Sequence, residues 1–162
     1  MPRAGTINLR PTIYSFKTVW RFSAPIEQVW DILWAVDHWP SWWSGLTSVQ
    51  LIQPGTGPDG LGTVRRFAWK TKLGYRLVVD LKLIQVERLH RIESRASGDL
   101  EGTGIWTLTP EGNETIVQYD WNVSTTKRWM NWLAPVARPL FNWNHDEVMQ
   151  AGEDGLRVYL RR

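Results

Sequence analysis

Asn144 and His145 stand side by side in the run NWNHDEVMQAGEDGL. With Tyr119 they are the side chains on which chemistry could be built. Imidazole titrates nearest neutrality, so His145 could act as a general acid–base. An amide or a phenol can hydrogen-bond a ligand oxygen or a developing oxyanion. Each residue also has a quieter use. A buried amide without partners costs about 1–3 kcal/mol, so Asn144 could instead tie its helix to a strand or hold a water. His145 lies nearer the edge of its apolar face, where a packed or capping role is expected.

Other chemistries are excluded early. The chain has no cysteine, hence no disulfide framework, thiol nucleophile or thiolate metal site. His38 and His90 read as surface or loop histidines. The three histidines are far apart and lack the carboxylate spacing of HExxH, so no metal site is expected. The glycine-rich run GTGPDGLG at 55–62 has no lysine in Walker-type position and reads as a hairpin loop, not a phosphate cradle. No cofactor is expected.

At 162 residues the chain reads as one domain with a real core. It is 43% hydrophobic and 22% charged, which is ordinary globular material. Tryptophan is the outlier, at twelve, and points to a lined cavity or a partner surface. The net charge of +3 is mild, and the lysines and arginines are spread along the chain, which argues against a nucleic-acid partner. No run approaches eighteen apolar residues, so no spanning helix is expected. The opening MPRAGTINLRP lacks the apolar segment of a signal peptide, and a cytoplasmic location is the default expectation.

The positioning elements follow from periodicity. Residues 139–162 project as an amphipathic helix, with Leu140, Phe141, Val148, Met149, Ala151, Leu156, Val158 and Tyr159 on one side. Gly152 and Gly155 share that side, and each costs about 1 kcal/mol against alanine. Close approach of a strand or a ligand would explain them. Residues 1–13 read as a flexible leader and 14–162 as the domain. Residues 15–23 alternate as a half-buried strand that Ala24-Pro25 stops. Residues 25–34 have helical spacing, a second short helix covers 38–44, and six strands follow at 47–53, 63–70, 75–87, 90–97, 100–109 and 115–125. Short connections make them antiparallel. A helical segment at 129–137 precedes the long helix, and Pro135 and Pro139 predict a bend or break before that helix. The expected fold is α+β: one curved antiparallel sheet around a long C-terminal helix.

The run FSAPIEQVWDILWAVDHWPSWW resembles the opening of the polyketide cyclase/dehydrase group in the START-like (SRPBCC) superfamily. LEGTGIWTLTPEGNETIVQYDWNV resembles that group's sixth and seventh strands, and NHDEVMQAGEDGL a C-terminal helix of some members. The resemblance implies a helix-grip fold: a seven-stranded antiparallel sheet, two short helices after the first strand, and a long helix around an apolar cavity. It implies a small hydrophobic partner such as a lipid, sterol or polyketide, with cyclisation or dehydration in some members and no universal catalytic set. It also places the 55–62 loop at the cavity mouth, where it could gate.

Within that frame the inward faces supply a wall of Phe67, Trp69, Tyr75, Leu77, Val79, Trp106, Leu108, Tyr119 and Trp121. The helix adds Leu140, Phe141, Asn144 and Val148. A filled hydrophobic core is the alternative use of each aromatic. Trp34, Trp39, Trp42 and Trp43 cannot all be buried easily by two short helices, so some are expected to line the cavity and others to be exposed. Exposed members would mark a protein partner, a homodimer contact or a membrane interface. Trp129, Trp132 and Trp143 raise the same question, and at least one is expected to pack under the bend near Pro139.

Overall fold

The computed structural model describes residues 11–162, apart from the side chains of Met130 and Ala134. The first ten residues of the expected leader lie outside the described residues. Strand β1 (Ile13–Phe22) is followed by α1 (Ile26–Trp34) and a 3₁₀ turn (Val36–Ser41). Then come β2 (Leu46–Gln53), β3 (Val64–Lys70), β4 (Arg76–Glu87), β5 (Arg91–Gly98), β6 (Leu100–Glu111) and β7 (Glu114–Thr125). Helices α2 (Arg128–Trp132) and α3 (Ala134–Tyr159) complete the chain. Ile13, the last residue of the expected leader, is the first residue of β1 and pairs with Ser124.

The seven strands form one sheet in the order β1-β7-β6-β5-β4-β3-β2. Every pairing is antiparallel. Hairpins build β2 through β7, and β1 joins at the far edge beside β7. The link from β1 to β2 must therefore cross the whole sheet, and α1 with the 3₁₀ turn makes that crossing. Pro25 starts α1 because its missing N–H is not needed there. Its carbonyl accepts from Gln28 N at 3.1 Å and Val29 N at 3.2 Å. The second short helix is a 3₁₀ turn ending at Ser41, earlier than expected, and Trp42 and Trp43 follow it in irregular backbone.

Most of the core lies where α1, the 3₁₀ turn and the end of α3 meet the sheet. Trp20, Trp39, Trp43 and Trp106 interlock there, with ring centroids 5.5 Å apart for Trp20–Trp43, 5.3 Å for Trp20–Trp106 and 5.2 Å for Trp39–Trp43. Such aromatic pairs add about 0.5–1.5 kcal/mol each beyond their buried area. Three of the four tryptophans in question, Trp39, Trp42 and Trp43, are buried, while Trp34 is half-exposed.

The two helix glycines have a different cause from the one expected. A Cβ on Gly152 would lie 2.5 Å from the Trp43 indole, and one on Gly155 would lie 1.8 Å from the Trp42 carbonyl oxygen. The Trp42–Trp43 segment, not a strand, makes the approach. Trp43 Nε1 donates to the Val148 carbonyl at 2.8 Å and fixes the contact.

Helix α3 also begins earlier than 139. The interruption falls at Leu133 (φ −91°, ψ 8°), between α2 and α3, and the helix then runs through Pro139. Pro139 forfeits one bond, to the carbonyl four residues back, near an end where few bonds exist to lose. Trp129, Trp132 and Trp143 are all substantially exposed, so none packs under a bend. Leu140 and Val158 also face outward. Each lies about 100° around the helix from an inward neighbour, Phe141 or Tyr159, which carries it off the buried side.

Candidate ligand-binding site

Between the concave sheet and the middle of α3 lies a chamber of about 100 Å³. Of the sequence-derived wall, Phe67, Trp69, Leu77, Val79, Trp106, Tyr119, Trp121, Phe141, Asn144 and Val148 line it. Gly104 of β6 makes room for two of them. A Cβ there would lie 2.6 Å from the Tyr119 hydroxyl and 2.8 Å from the Trp121 ring, so only glycine lets both rings lie flat across the sheet.

Three expected wall residues are corrected. Leu108 is fully buried in the tryptophan core and does not reach the chamber. It lies on the same face of β6 as Trp106, one side-chain pair further along, where α1 already covers the sheet. Leu140 is 48% exposed on the outer side of α3. Tyr75 does not form part of the wall, but its hydroxyl accepts from Asn144 Nδ2 at 3.4 Å.

Further lining residues enter from two places. Of the clustered tryptophans, some of which were expected at the cavity, Trp39 and Trp43 swing in from the segment after α1. Their pairing with the sheet rings is a tertiary fact without a periodic signature. Phe16 stands in step with Trp20 on β1, and Leu81 with Leu77 and Val79 on β4, so periodicity could have found them. A second chamber of about 220 Å³ adjoins the first, bordered by Pro58, Asp59 and Gly60 of the glycine-rich loop. Trp39, Phe67, Leu81 and Trp106 line both, so these four side chains form a partition between them.

The polar atoms gather at one end. Asn144 is buried and its Oδ1 has no hydrogen-bond partner among the described residues. His145 lines the chamber with its ring stacked on Phe16, centroids 3.8 Å apart and planes within 8°. This joins the packed role expected of it to a place on the wall. Its Nδ1 is 3.6 Å from the Asp146 carboxylate, beyond hydrogen-bond reach, and both ring nitrogens are buried without partners. The Tyr14 hydroxyl is likewise buried and unpartnered. Lys72 pairs with Glu147 and straps the β3–β4 turn to α3 beside this cluster.

Burial governs the charge states. It lowers the His145 pKa from the ordinary imidazole value, with Asp146 opposing in part, so near neutral pH the ring is uncharged and offers one donor and one acceptor. Burial raises the Tyr14 phenol, offset in part by Arg138, and raises Tyr75, with Tyr14 adding to it. Tyr119 is pushed well above the ordinary tyrosine value by burial alone. All three phenols stay protonated and can donate. Among the described residues no group of three His, Asp or Glu side chains is placed to hold a metal ion.

The arrangement is shared with solved proteins. A START superfamily protein from Mycobacterium smegmatis superposes with a TM-score of 0.73 at 14% identity, over 91% of this chain and 97% of that one. The Zhui aromatase/cyclase from Streptomyces sp. R1128 gives 0.71 at 14% identity, over 93% and 95%. A major latex-like protein from Panax ginseng gives 0.65 at 7% identity, over 91% and 97%. These likenesses are of fold, the helix-grip arrangement. No curated protein matches the chain at a significant level. The profile of the family described as polyketide cyclase / dehydrase and lipid transport matches residues 15–160. With nearly the whole domain matched, the chain belongs to that family.

Proposed function

We propose that the protein binds a small hydrophobic molecule carrying a hydroxyl group in the chamber beneath α3. One observation carries this reading: the apolar chamber is lined by Asn144 and His145, whose Oδ1 and two ring nitrogens are buried and unpartnered among the described residues. Each orphaned polar atom costs about 1–3 kcal/mol, which a hydroxyl supplying both a donor and an acceptor would offset. The rest of the affinity comes from burying apolar area, near 25 cal/mol per Å² before ordering costs. A chamber of about 100 Å³ suits a single ring or a slender chain. A larger guest, a fused two-ring molecule such as 2-naphthol included, enters when the partition of Trp39, Phe67, Leu81 and Trp106 turns aside and joins the two chambers.

Quenching of the wall tryptophans tests this. Titration with 2-naphthol is expected to saturate about tenfold tighter than with naphthalene, the worth of roughly one buried hydrogen bond. Asn144→Leu is expected to erase the difference. No saturable quenching by naphthols, flavonoids, sterols or fatty acids would remove the reading.

A second reading, cyclisation or dehydration of a carbonyl-rich substrate, draws support from the uncharged, partnerless imidazole of His145. Such a ring has the form of a general base, with Asn144 and Tyr119 as oxygen-binding groups. His145→Ala would then keep ligand binding and lose turnover. Loss of neither speaks for a carrier.

A further inference from the structure

The sheet is open and has two edges, which are finished differently. At β1 the outward carbonyls are occupied from α3: Arg138 donates to the Ile13 carbonyl at 3.0 Å and Arg157 to the Arg21 carbonyl at 3.1 Å. Lys17 stands exposed between them. Charged side chains laid along an edge keep another strand from adding to it. At β2 that protection is missing. Among the described residues, the backbone from Thr47 to Gln53 hydrogen-bonds only with β3. Leu46–Gln53 contains no charged residue, and Leu51 and Ile52 are 57% and 47% exposed. The register shifts against β3 fall near the two ends of the strand, and Ser48–Leu51 between them pairs without interruption.

A row of unpaired N–H and C=O groups is met by another strand, and the charges select which one. A second copy offering its β1 would have to break the Arg138 and Arg157 contacts first. A second copy offering its β2 brings no charge at all. The cations nearest the edge are already matched: Arg65, opposite Leu51, pairs with Asp37 at 3.1 Å, and Arg66, opposite Gln50, pairs with Asp80 at 2.7 Å. Two β2 edges can therefore meet without like-charge repulsion. Side-chain direction then sets the register. Val49 and Leu51 lie opposite Phe67 and Arg65, so they share the concave face with them. A two-fold axis at Gln50 puts Val49 of one copy beside Leu51 of the other on that face and covers both.

We propose that the protein associates as a two-fold dimer by antiparallel pairing of β2 with β2 of a second copy, centred on Gln50, which joins the two sheets into one. The pairing is isologous, the same edge on both copies. With β1 capped by arginines no third copy can add, so assembly closes at two. Nothing in this pairing depends on what the chamber holds.

Sedimentation velocity of the full chain tests it. Pairing along one short strand lies at the low end of interface sizes, so a dissociation constant on the order of 100 µM is expected, bracketed by loading from about 10 µM to about 1 mM. Across that range the parent should pass from monomer to dimer and no further. Gln50→Lys sets two ammonium groups against each other at the axis and should weaken association about tenfold or more. Gln50→Glu should do the same. An equal mixture of the two variants should recover the parent's dissociation constant within about threefold, because opposite charges then face each other. Gln50 is exposed in the single copy, so both variants should keep the parent's thermal midpoint in dilute solution. A parent that stays monomeric would overturn the proposal, as would association that Gln50→Lys leaves unchanged. A mixture no stronger than either variant alone, or growth beyond two copies, would overturn it too.

Discussion

Between Val148 and Leu156, α3 is clasped. The Trp43 indole lies against Gly152, the Trp42 backbone against Gly155, and Leu156 is wholly buried. Ahead of Asn144 the same helix contains Pro139, has no side-chain cap, and turns Val136, Leu140 and Trp143 outward. One end is an anchor built by close packing, the other a cover over the chamber. The lesson is that a single helix can divide its duties lengthwise. Stability is concentrated where backbone meets backbone, which leaves the stretch over the site free to carry unpartnered groups.

Substitutions can break that contrast. Gly155→Val should be the most damaging, at about 3 kcal/mol or more, since no rearrangement of a flexible side chain relieves a clash with backbone; chemical denaturation measures it. Trp43→Phe keeps most of the ring but abandons the Val148 carbonyl, and about 1–2 kcal/mol is expected. In the cover region the signs change. Asn144→Leu removes an orphaned polar atom, so stability should hold within about 1 kcal/mol while discrimination between 2-naphthol and naphthalene disappears. Val136→Ser should move the thermal midpoint least of all, by no more than about 0.5 kcal/mol. A large loss there would show that the cover is packed as tightly as the anchor.

Acid sharpens the same contrast. The folded-state pKa of His145 is depressed, so the unfolded chain takes up a proton first as pH falls. Its contribution is fully present above the ordinary imidazole pKa, about 6.5, and is lost from there down to the depressed folded value. Thermal midpoints followed from pH 8 to pH 5 should fall less steeply in His145→Leu than in the parent. Equal slopes would mean that the ring takes up its proton at the same pH in the fold as in the unfolded chain.

Much of this was legible in the sequence. Alternation in β4 and β7 identified Leu77, Val79, Tyr119 and Trp121 as inward, because a strand has two faces and the sheet buries one of them. Asn144 stood out as an amide on an apolar helix face. Leu108 and Leu140 were misplaced for complementary reasons. Periodicity assigns a residue to a face but not to a distance along it, so Leu108 was put in the chamber instead of the core beyond. At the edge of a helical stripe a single step of about 100° separates wall from solvent, and Leu140 took the wrong side. Trp39 and Trp43 belonged to a cluster expected in part at the cavity but were not told apart from Trp34 and Trp42, since they arrive through a 3₁₀ turn and the irregular backbone after it. The glycines showed that something came close, but not what.

The pairing of β1 with β7 has a consequence for how the molecule is made. Ile13 registers with Ser124 and Phe22 with Thr115, so the first strand waits for about a hundred residues of synthesis before its partner exists. Contacts so distant along the chain slow the search for the native state. Until β7 emerges, Trp20 and Phe22 have no sheet to bury them, and the growing polypeptide carries an adhesive edge that a chaperone would recognise.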